Sequence, residues 1–196
     1  KIMEFALRAI DEIIEFLPVE NRKKISGIGI ATPYFLWEWA SIIGVDADEM
    51  NKWRNFDLRT EISKKVAFPV YVGNDGSSAC GAELTFGSMA HPSDFLYIYI
   101  GYFIGGGIVL NGALYNGKLG NAGALGPFPM PTAEGNYTQL VERASLISLE
   151  RKIAQHRRSP KFEMTSDFVP LDGEDIFVNE WVNETASAIT HLIIGA

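Results

Sequence analysis

The two ends of the chain show the apolar spacing of amphipathic helices. Over residues 1–17 the apolar positions recur every three or four residues, which predicts a helix that ends at Pro18. The same spacing follows Asp175, which can cap a helix running almost to Ala196. The first helix has no capping residue before it and the second has no element after it. We therefore expect a fragment truncated at both ends.

Between these helices, short β-prone runs alternate with helical segments. Asn111 and Gly112 form a hairpin turn signal, and the two runs beside that signal predict adjacent antiparallel strands. This alternation favours an α/β protein whose hairpins make the sheet mixed. The predicted strands are 26–32, 69–72, 95–100, 107–110 and 113–115, the predicted helices are 57–66, 76–87 and 138–155, and the predicted loops are 34–56, with short helical pieces, and 156–175.

Composition excludes several classes of protein. The chain has 196 residues, is 47% hydrophobic and 21% charged, and is therefore globular in composition. Its net charge of −7 argues against a nucleic-acid surface on this piece. The single cysteine, Cys80, excludes an internal disulfide and a cysteine-rich zinc site. No run is long enough for a membrane helix and no signal peptide is visible, so we expect a cytoplasmic protein without membrane contact.

The segment VYVGNDGSSACGAELTFG carries the first candidate chemistry. A strand delivers Asn74 and Asp75, and a helix begins immediately after them. Ligands collect at the carboxyl ends of strands in α/β sheets, where an amide beside an acid can bind hydroxyl groups. The acid can also act as a general base toward a hydroxyl. The alternative is that Asp75 only caps the helix, and spacing alone favours this capping role.

A glycine-rich segment, IYIGYFIGGGIVLNGALYNG, is the second candidate. Its backbone amides could hold a phosphate, because glycines leave the approach open. A hairpin with a glycine bulge explains the pattern equally well. The four glycines concerned are Gly101, Gly105, Gly106 and Gly107. A third segment, GKLGNAGALGPFPMP, is interpreted as a fixed surface loop, with ligand lining as the minority alternative.

Together these segments resemble the ROK family of sugar kinases and sugar-responsive repressors. The matching stretches follow the family order across residues 26–153. SGIGIATP is similar to the family's G-I-G-x-P strand, and WRNFDLRTEI to its W-x-x-x-x-L segment. FPVYVGNDGSSACGAELTFG resembles the family's P-V-x-V-E-N-D segment with its following helix. FLYIYIGYFIGGGIVLNGALYNGKLGNAGALG resembles its strand, glycine loop, L-N-G-x-L-Y-x-G and G-x-x-G-E-x-G-H stretch.

The resemblance implies an actin-like ATPase (ribonuclease H-like) fold, in which two α/β lobes with mixed sheets hold a ligand between them. Residues 1–196 would be part of such a sugar-binding, kinase-like domain, and a homodimer is expected. In the kinases, the residue matching Asp75 takes the proton from the attacking sugar hydroxyl, and the residue matching Asn74 binds sugar hydroxyls. The glycines matching 105–107 lie against nucleotide phosphates.

Several positions depart from the family pattern. Tyr102 and Phe103 replace the small residues that precede the three glycines, which argues against productive ATP binding. The family's sugar-binding Glu and His become Ala124 and Pro127. Glu142 could replace the lost Glu as a sugar contact, although an exposed helix glutamate is the more common role. The zinc-binding cysteine cluster is absent, and His91, His156 and His191 lack partners at metal spacing, so no zinc is expected. The family's phosphate loop and adenosine segment are also missing from these residues.

These departures favour one function and leave two alternatives. The favoured one is the effector domain of a ROK-type transcriptional repressor that binds a sugar and reaches DNA only through a domain outside this chain. The first alternative is a sugar kinase that uses ATP and Mg²⁺, with Asp75 as general base. The second is a scaffold that binds no sugar and acts through dimer contacts. Three tryptophans could stack on a sugar face, although core or lobe contacts are the more common role: Trp37, Trp39 and Trp53.

Overall fold

The computed structural model describes residues 1–87, 92–132, 134–160, 162–165 and 167–195. The chain divides into two compact units, residues 1–78 and residues 79–196. His91 lies outside the described residues. Among the described helices, none is both long and apolar enough to cross a membrane.

The first unit contains five helices and a pair of parallel strands. Strand β1 (Ile28–Thr32) pairs with β2 (Val70–Asn74) in a register that places Thr32 opposite Asn74. Local capping explains two of the short helices, because Asp46 and Asp57 accept backbone N–H bonds in their first turns. The helices are α1 (Ile2–Phe16), α2 (Val19–Arg22), α3 (Ala40–Ile43), α4 (Ala47–Asn51) and α5 (Leu58–Ser63), with 3-10 turns at Leu36–Glu38 and Lys52–Asn55.

Helix α6 (Asp75–Phe86) begins at the end of the first unit and leads into the second. The second unit contains an antiparallel sheet in the order β3-β4-β5 and a separate antiparallel pair, β6-β7. Its elements are β3 (Phe95–Ile100), β4 (Ile104–Leu110), β5 (Ala113–Tyr115), β6 (Pro129–Pro131), β7 (Tyr137–Gln139), a 3-10 turn at Leu140–Glu142, α7 (Leu146–His156) and α8 (Asp175–Gly195).

Apolar side chains from several elements of the second unit are buried in its core. Helix α7 places Ile153 there and α8 places Leu192, each with at most 1% of its surface exposed. Strand β4 contributes Val109, and the 3-10 turn contributes Leu140 and Val141. Removing these side chains from water is the main force that holds the helices against the sheet.

The structure differs from the sequence predictions at three places. Strand β4 begins at Ile104, so Gly105 and Gly106 also lie within the strand, which the sequence predicted to begin at Gly107. The predicted helix 138–155 is interrupted, because Gln139 pairs with Pro129 and Ser145 has extended backbone angles. Parallel and antiparallel pairing occur in separate sheets among the described strands, rather than within one sheet.

Candidate functional site

Asn74 and Asp75, here called the Asn–Asp corner, stand where β2 ends and α6 begins. Because β1 and β2 are parallel, their carboxyl ends meet at the same edge, and Thr32 is the strand neighbour of Asn74. Gly73, directly before the corner, leaves room for the first turn of α6. A Cβ atom at Gly73 would lie 2.9 Å from the hydroxyl oxygen of Ser78.

Asn74, and not Asp75, is the residue that caps α6. The Oδ1 atom of Asn74 accepts the backbone N–H of Ser77 at 2.9 Å, which is the geometry of an N-cap. Oδ1 of Asp75 accepts the N–H of Gly76 at 2.8 Å and an amide hydrogen of Asn74 at 3.2 Å. The capping role that spacing alone favoured for Asp75 therefore belongs mainly to the preceding residue.

This arrangement leaves hydrogen-bonding capacity in the Asn–Asp corner. Asn74 is half-buried and keeps one amide hydrogen that bonds to none of the described residues. Asp75 is exposed, and its Oδ2 atom likewise has no partner among them. A free donor beside a free carboxylate oxygen can bind a hydroxyl group that both accepts and donates.

The other candidate residues belong to the second unit, where residues 101–103 form the turn between β3 and β4, here called the 101–103 turn. The N–H of Gly101 donates to the carbonyl oxygen of Phe103 at 3.1 Å. The carbonyl oxygens of Gly101 and Tyr102 accept the N–H groups of Leu146 and Ile147 at 2.8 and 3.1 Å. These two donors belong to the first turn of α7 and would otherwise be free to bind an anion.

A side-chain hydrogen bond also holds the 101–103 turn to α7. The hydroxyl of Tyr102 donates to Oε1 of Glu150 at 2.9 Å, while Oε2 of Glu150 accepts the N–H of Met164 at 2.6 Å. Burial, this hydrogen bond and the charge of Glu150 together raise the pKa of Tyr102 to about 12. The Phe103 ring packs edge-on against Tyr102, 5.0 Å between centroids. The turn is thus filled by its own aromatic side chains.

Close packing requires a glycine at position 106 of β4, whereas Gly105 in the same strand has open space around it. A Cβ atom at Gly106 would lie 2.1 Å from the carbonyl oxygen of Tyr97, which no rearrangement of side chains could relieve. Gly123 lies in a turn that packs against this strand, and its Cβ would come within 2.2 Å of the Gly106 carbonyl oxygen. Gly107 is buried beside them, whereas a Cβ at Gly105 would meet no atom within 4 Å.

The remaining sequence candidates lie at the surface of the second unit. Glu142 is 40% exposed and pairs with Arg151 at 3.0 Å, so its carboxylate already has a cation beside it. Ala124 and Pro127 are exposed and carry no group that could bind a hydroxyl. His156 packs against the ring of Phe177, 4.9 Å between centroids. Within the described residues, no three His, Cys, Asp or Glu side chains are grouped to hold a metal.

Glu150 is the important residue that the sequence did not reveal. It lies on the predicted helix, but its burial and its bond to Tyr102 depend on a contact between residues 48 positions apart. Glu174 is a similar case, since its buried carboxylate accepts two N–H bonds from Arg157 at 2.6 and 2.7 Å. A charged residue within an otherwise apolar helical stripe would have been the only available signal.

The fold is that of an α/β protein of the actin-like ATPase class, as the sequence predicted. Two features carry this assignment, namely the parallel strand pair that ends at Asn74 and the glycine-rich antiparallel sheet. The sequence model of the ROK family matches residues 1–160 of the chain. The chain therefore belongs to the ROK family. Among solved structures, the Lmo2764 protein of Listeria monocytogenes superposes with a TM-score of 0.56 at 26% identity, over 94% of this chain and 64% of that one.

The similar proteins include both kinases and repressors. A β-glucoside kinase of Listeria innocua is 30% identical over 87% of this chain and 64% of its own length. A xylose repressor of Caldicellulosiruptor bescii is 29% identical over 64% of this chain and 31% of its own length. The chain spans less than two thirds of these curated relatives. Similarity alone therefore does not separate a kinase from a repressor.

Proposed function

We propose that this chain is part of the effector domain of a ROK-family transcriptional repressor, which binds a sugar without phosphorylating it. The observation that carries the proposal is the closed 101–103 turn. Its carbonyl groups occupy the first N–H donors of α7, and Tyr102 is bonded to Glu150. Phosphoryl transfer depends on positioning the phosphates and stabilising their charge, and this turn offers neither.

The residues present do not fit a nucleotide at this turn. Glu150, 9% exposed, places a carboxylate behind Tyr102, where a nucleotide phosphate would need positive charge or N–H donors. The N–H of Gly101 is already bonded to Phe103. We therefore propose that the domain uses neither ATP nor Mg²⁺, and also that it holds no zinc.

The sugar would bind at the Asn–Asp corner. The free amide hydrogen of Asn74 would donate to one sugar hydroxyl, and Oδ2 of Asp75 would accept from the same hydroxyl or its neighbour. In this proposal the effector is a sugar or sugar derivative, the domain works as a homodimer in the cytoplasm, and DNA is bound by a domain outside this chain.

One observation favours a second candidate, a sugar kinase. Asp75 is exposed and keeps a free carboxylate oxygen, as a general base toward a sugar hydroxyl requires. The β-glucoside kinase relative supports the same function. The two candidates share the sugar site and differ in whether a nucleotide binds.

Ligand-dependent thermal stability of the intact protein distinguishes them. A panel of hexoses, pentoses, amino sugars and their phosphates is tested with and without Mg-ATP, because a ligand that binds the folded state raises Tm. A rise in Tm with one sugar and no rise with ATP supports the repressor function. A shift with ATP, together with sugar-dependent ATP consumption that Asp75→Asn abolishes, would show a kinase. Elemental analysis in the same preparation should find no stoichiometric zinc.

A double variant tests whether the aromatic side chains of the 101–103 turn exclude the nucleotide. Tyr102→Thr combined with Phe103→Gly removes both rings and the bond to Glu150. If an ATP-dependent shift appears in this variant and not in the parent, the turn is what excludes the nucleotide. An equal response in both proteins would mean that the turn has no such role.

A further inference from the structure

A run of aromatic residues follows β1 directly. Residues 34–39, here called the aromatic segment, contain Tyr34, Phe35, Trp37 and Trp39. The ring of Phe35 packs edge-on against Trp37 at 5.5 Å between centroids and against Tyr34 at 6.2 Å. These two consecutive ring contacts join Tyr34, Phe35 and Trp37 into one aromatic surface rather than isolated side chains.

The aromatic segment is not part of a closed core. All four aromatic residues are half-buried, and in residues 34–40 only Ala40 is buried. The guanidinium of Arg54, itself exposed, lies 5.8 Å from the centre of the Trp37 ring. This cation supports one face of the ring and helps to fix its orientation.

The backbone of the aromatic segment is strained at Phe35. Its φ of 57° is a left-handed conformation that bulky residues rarely adopt. Within the described residues only Asn111 and Arg158 share a positive φ without being glycine. Strain of this kind persists where the surroundings impose it and is concentrated at ligand-binding sites.

The aromatic segment begins beside the Asn–Asp corner. Thr32 is the strand neighbour of Asn74, and Tyr34 follows Thr32 by two residues. Consecutive Cα atoms are 3.8 Å apart and paired strands about 4.8 Å apart, so the Cα atoms of Tyr34 and Asn74 are separated by no more than roughly 12 Å. A sugar ring at the corner would therefore lie next to this aromatic surface.

We propose that the aromatic segment binds the second ring of a glycoside whose sugar ring is held by Asn74 and Asp75. This inference rests on the proposed sugar site and names the ligand class. Sugar hydroxyls suit the amide and carboxylate of the corner, whereas the aromatic segment offers apolar ring surface with few polar groups. Ligand sites commonly combine such a surface with a small number of polar anchors.

The test compares free sugars with their aryl glycosides. Calorimetry on the intact protein uses glucose, mannose, xylose and N-acetylmannosamine, each beside its p-nitrophenyl glycoside. For the sugar that binds, the glycoside should bind at least about tenfold more tightly, since one buried ring contributes roughly that factor. Equal or weaker glycoside binding would overturn this inference and leave the proposed function intact. Binding of neither form would overturn both.

Two variants locate the second-ring contact. Trp37→Ala should reduce the preference for the glycoside to about threefold or less, because it weakens glycoside binding more than binding of the free sugar. Trp37→Leu retains bulk and should have the same effect if the alanine variant unfolds. Tyr137→Ala removes a 75% exposed ring on β7 and serves as the matched control. A preference that survives both Trp37 variants would contradict the proposal.

Discussion

The Asn–Asp corner and the 101–103 turn are both held by hydrogen bonds within the protein. They differ in which polar atoms those bonds leave free. At the corner, capping consumes one oxygen of Asn74 and one of Asp75, and a donor and an acceptor remain free. At the turn, the N–H of Gly101 and the carbonyls of Gly101 and Tyr102 are all bonded within the protein. Tyr102 adds a side-chain bond that fastens the turn to α7.

The difference shows that two motifs with ligand-binding residue types can differ in which of their polar groups the fold leaves unpaired. Backbone groups can bind a phosphate only if the protein leaves them unpaired. The first turn of α7 has its N–H groups already satisfied, while the corner keeps polar atoms that a ligand can reach.

Asn74→Ala should weaken sugar binding by roughly tenfold to a hundredfold, because it removes the free amide donor and leaves a sugar hydroxyl without its partner. It should also cost about 1 kcal/mol of stability through loss of the helix cap. Calorimetry at a temperature where the variant is folded measures the first effect. Asn183→Ala, an exposed site on α8, is the control. Unchanged affinity in Asn74→Ala would remove the corner from the sugar site.

Glu174→Gln should lower Tm at pH 7 by roughly 5 °C, because it breaks a buried carboxylate–guanidinium pair with Arg157. The bond to Arg157 lowers the pKa of Glu174 from 4.5 to about 2, so ionised Glu174 stabilises the fold above pH 4.5. That stabilisation is lost as the pH falls from 4.5 toward 2.

Melting curves of both proteins across this pH range check the expectation, which would place acid sensitivity in the second unit, where Glu174 pairs with Arg157 just after α7. The Tm difference between parent and variant should shrink with decreasing pH. Glu180→Gln, at an exposed position of α8, should behave as the parent at every pH. A difference that stays constant with pH would show that Glu174 ionisation does not contribute.

Tyr102→Phe should destabilise the protein by about 1–2 kcal/mol, since the buried carboxylate of Glu150 loses a hydrogen-bond donor. Denaturant titration measures this loss, and Tyr137→Phe at an exposed position is the control. If Tyr102→Phe is as stable as the parent, the turn is not fastened by that bond, and its closed state depends on the backbone bonds alone.

Ser77→Ala should leave stability unchanged or raise it by up to about 1 kcal/mol, because the buried hydroxyl of Ser77 has no partner among the described residues. Ser145→Ala is the matched comparison, since the hydroxyl of Ser145 donates to the carbonyl of Val141 and its loss should cost about 1 kcal/mol. Equal losses in both variants would show that Ser77 has a partner in solution.

Much of the fold followed from local patterns. The end helices, the strand before Asn74 and the Asn111-Gly112 hairpin were all predicted, because spacing and turn residues determine them locally. The interruption of the helix predicted at 138–155 was missed, since it depends on pairing between β6 and β7. Glycine is a poor strand former, so Gly105–Gly107 in β4 depends on pairing with β3 rather than on propensity.

The residues of the candidate site were predictable from the sequence, but the hydrogen bonds that they make were not. The sequence identified Asn74 and Asp75, yet it could not show which of the two caps α6 or which atoms remain free. It identified Tyr102 and Phe103 as obstacles to phosphate, yet Glu150 could be assigned as the anchor only from the folded chain. The roles of Glu142 and the glycines in ligand binding stay predictions.

The close approach of Gly123 to Gly106 has a consequence for how such chains are classified. Any side chain at either position would collide with main-chain atoms, so both glycines are required whether or not a nucleotide is ever bound. A glycine signature of this kind can therefore be required by packing alone, so it does not by itself indicate nucleotide binding. Because packing alone requires them, these glycines do not distinguish a kinase from a repressor.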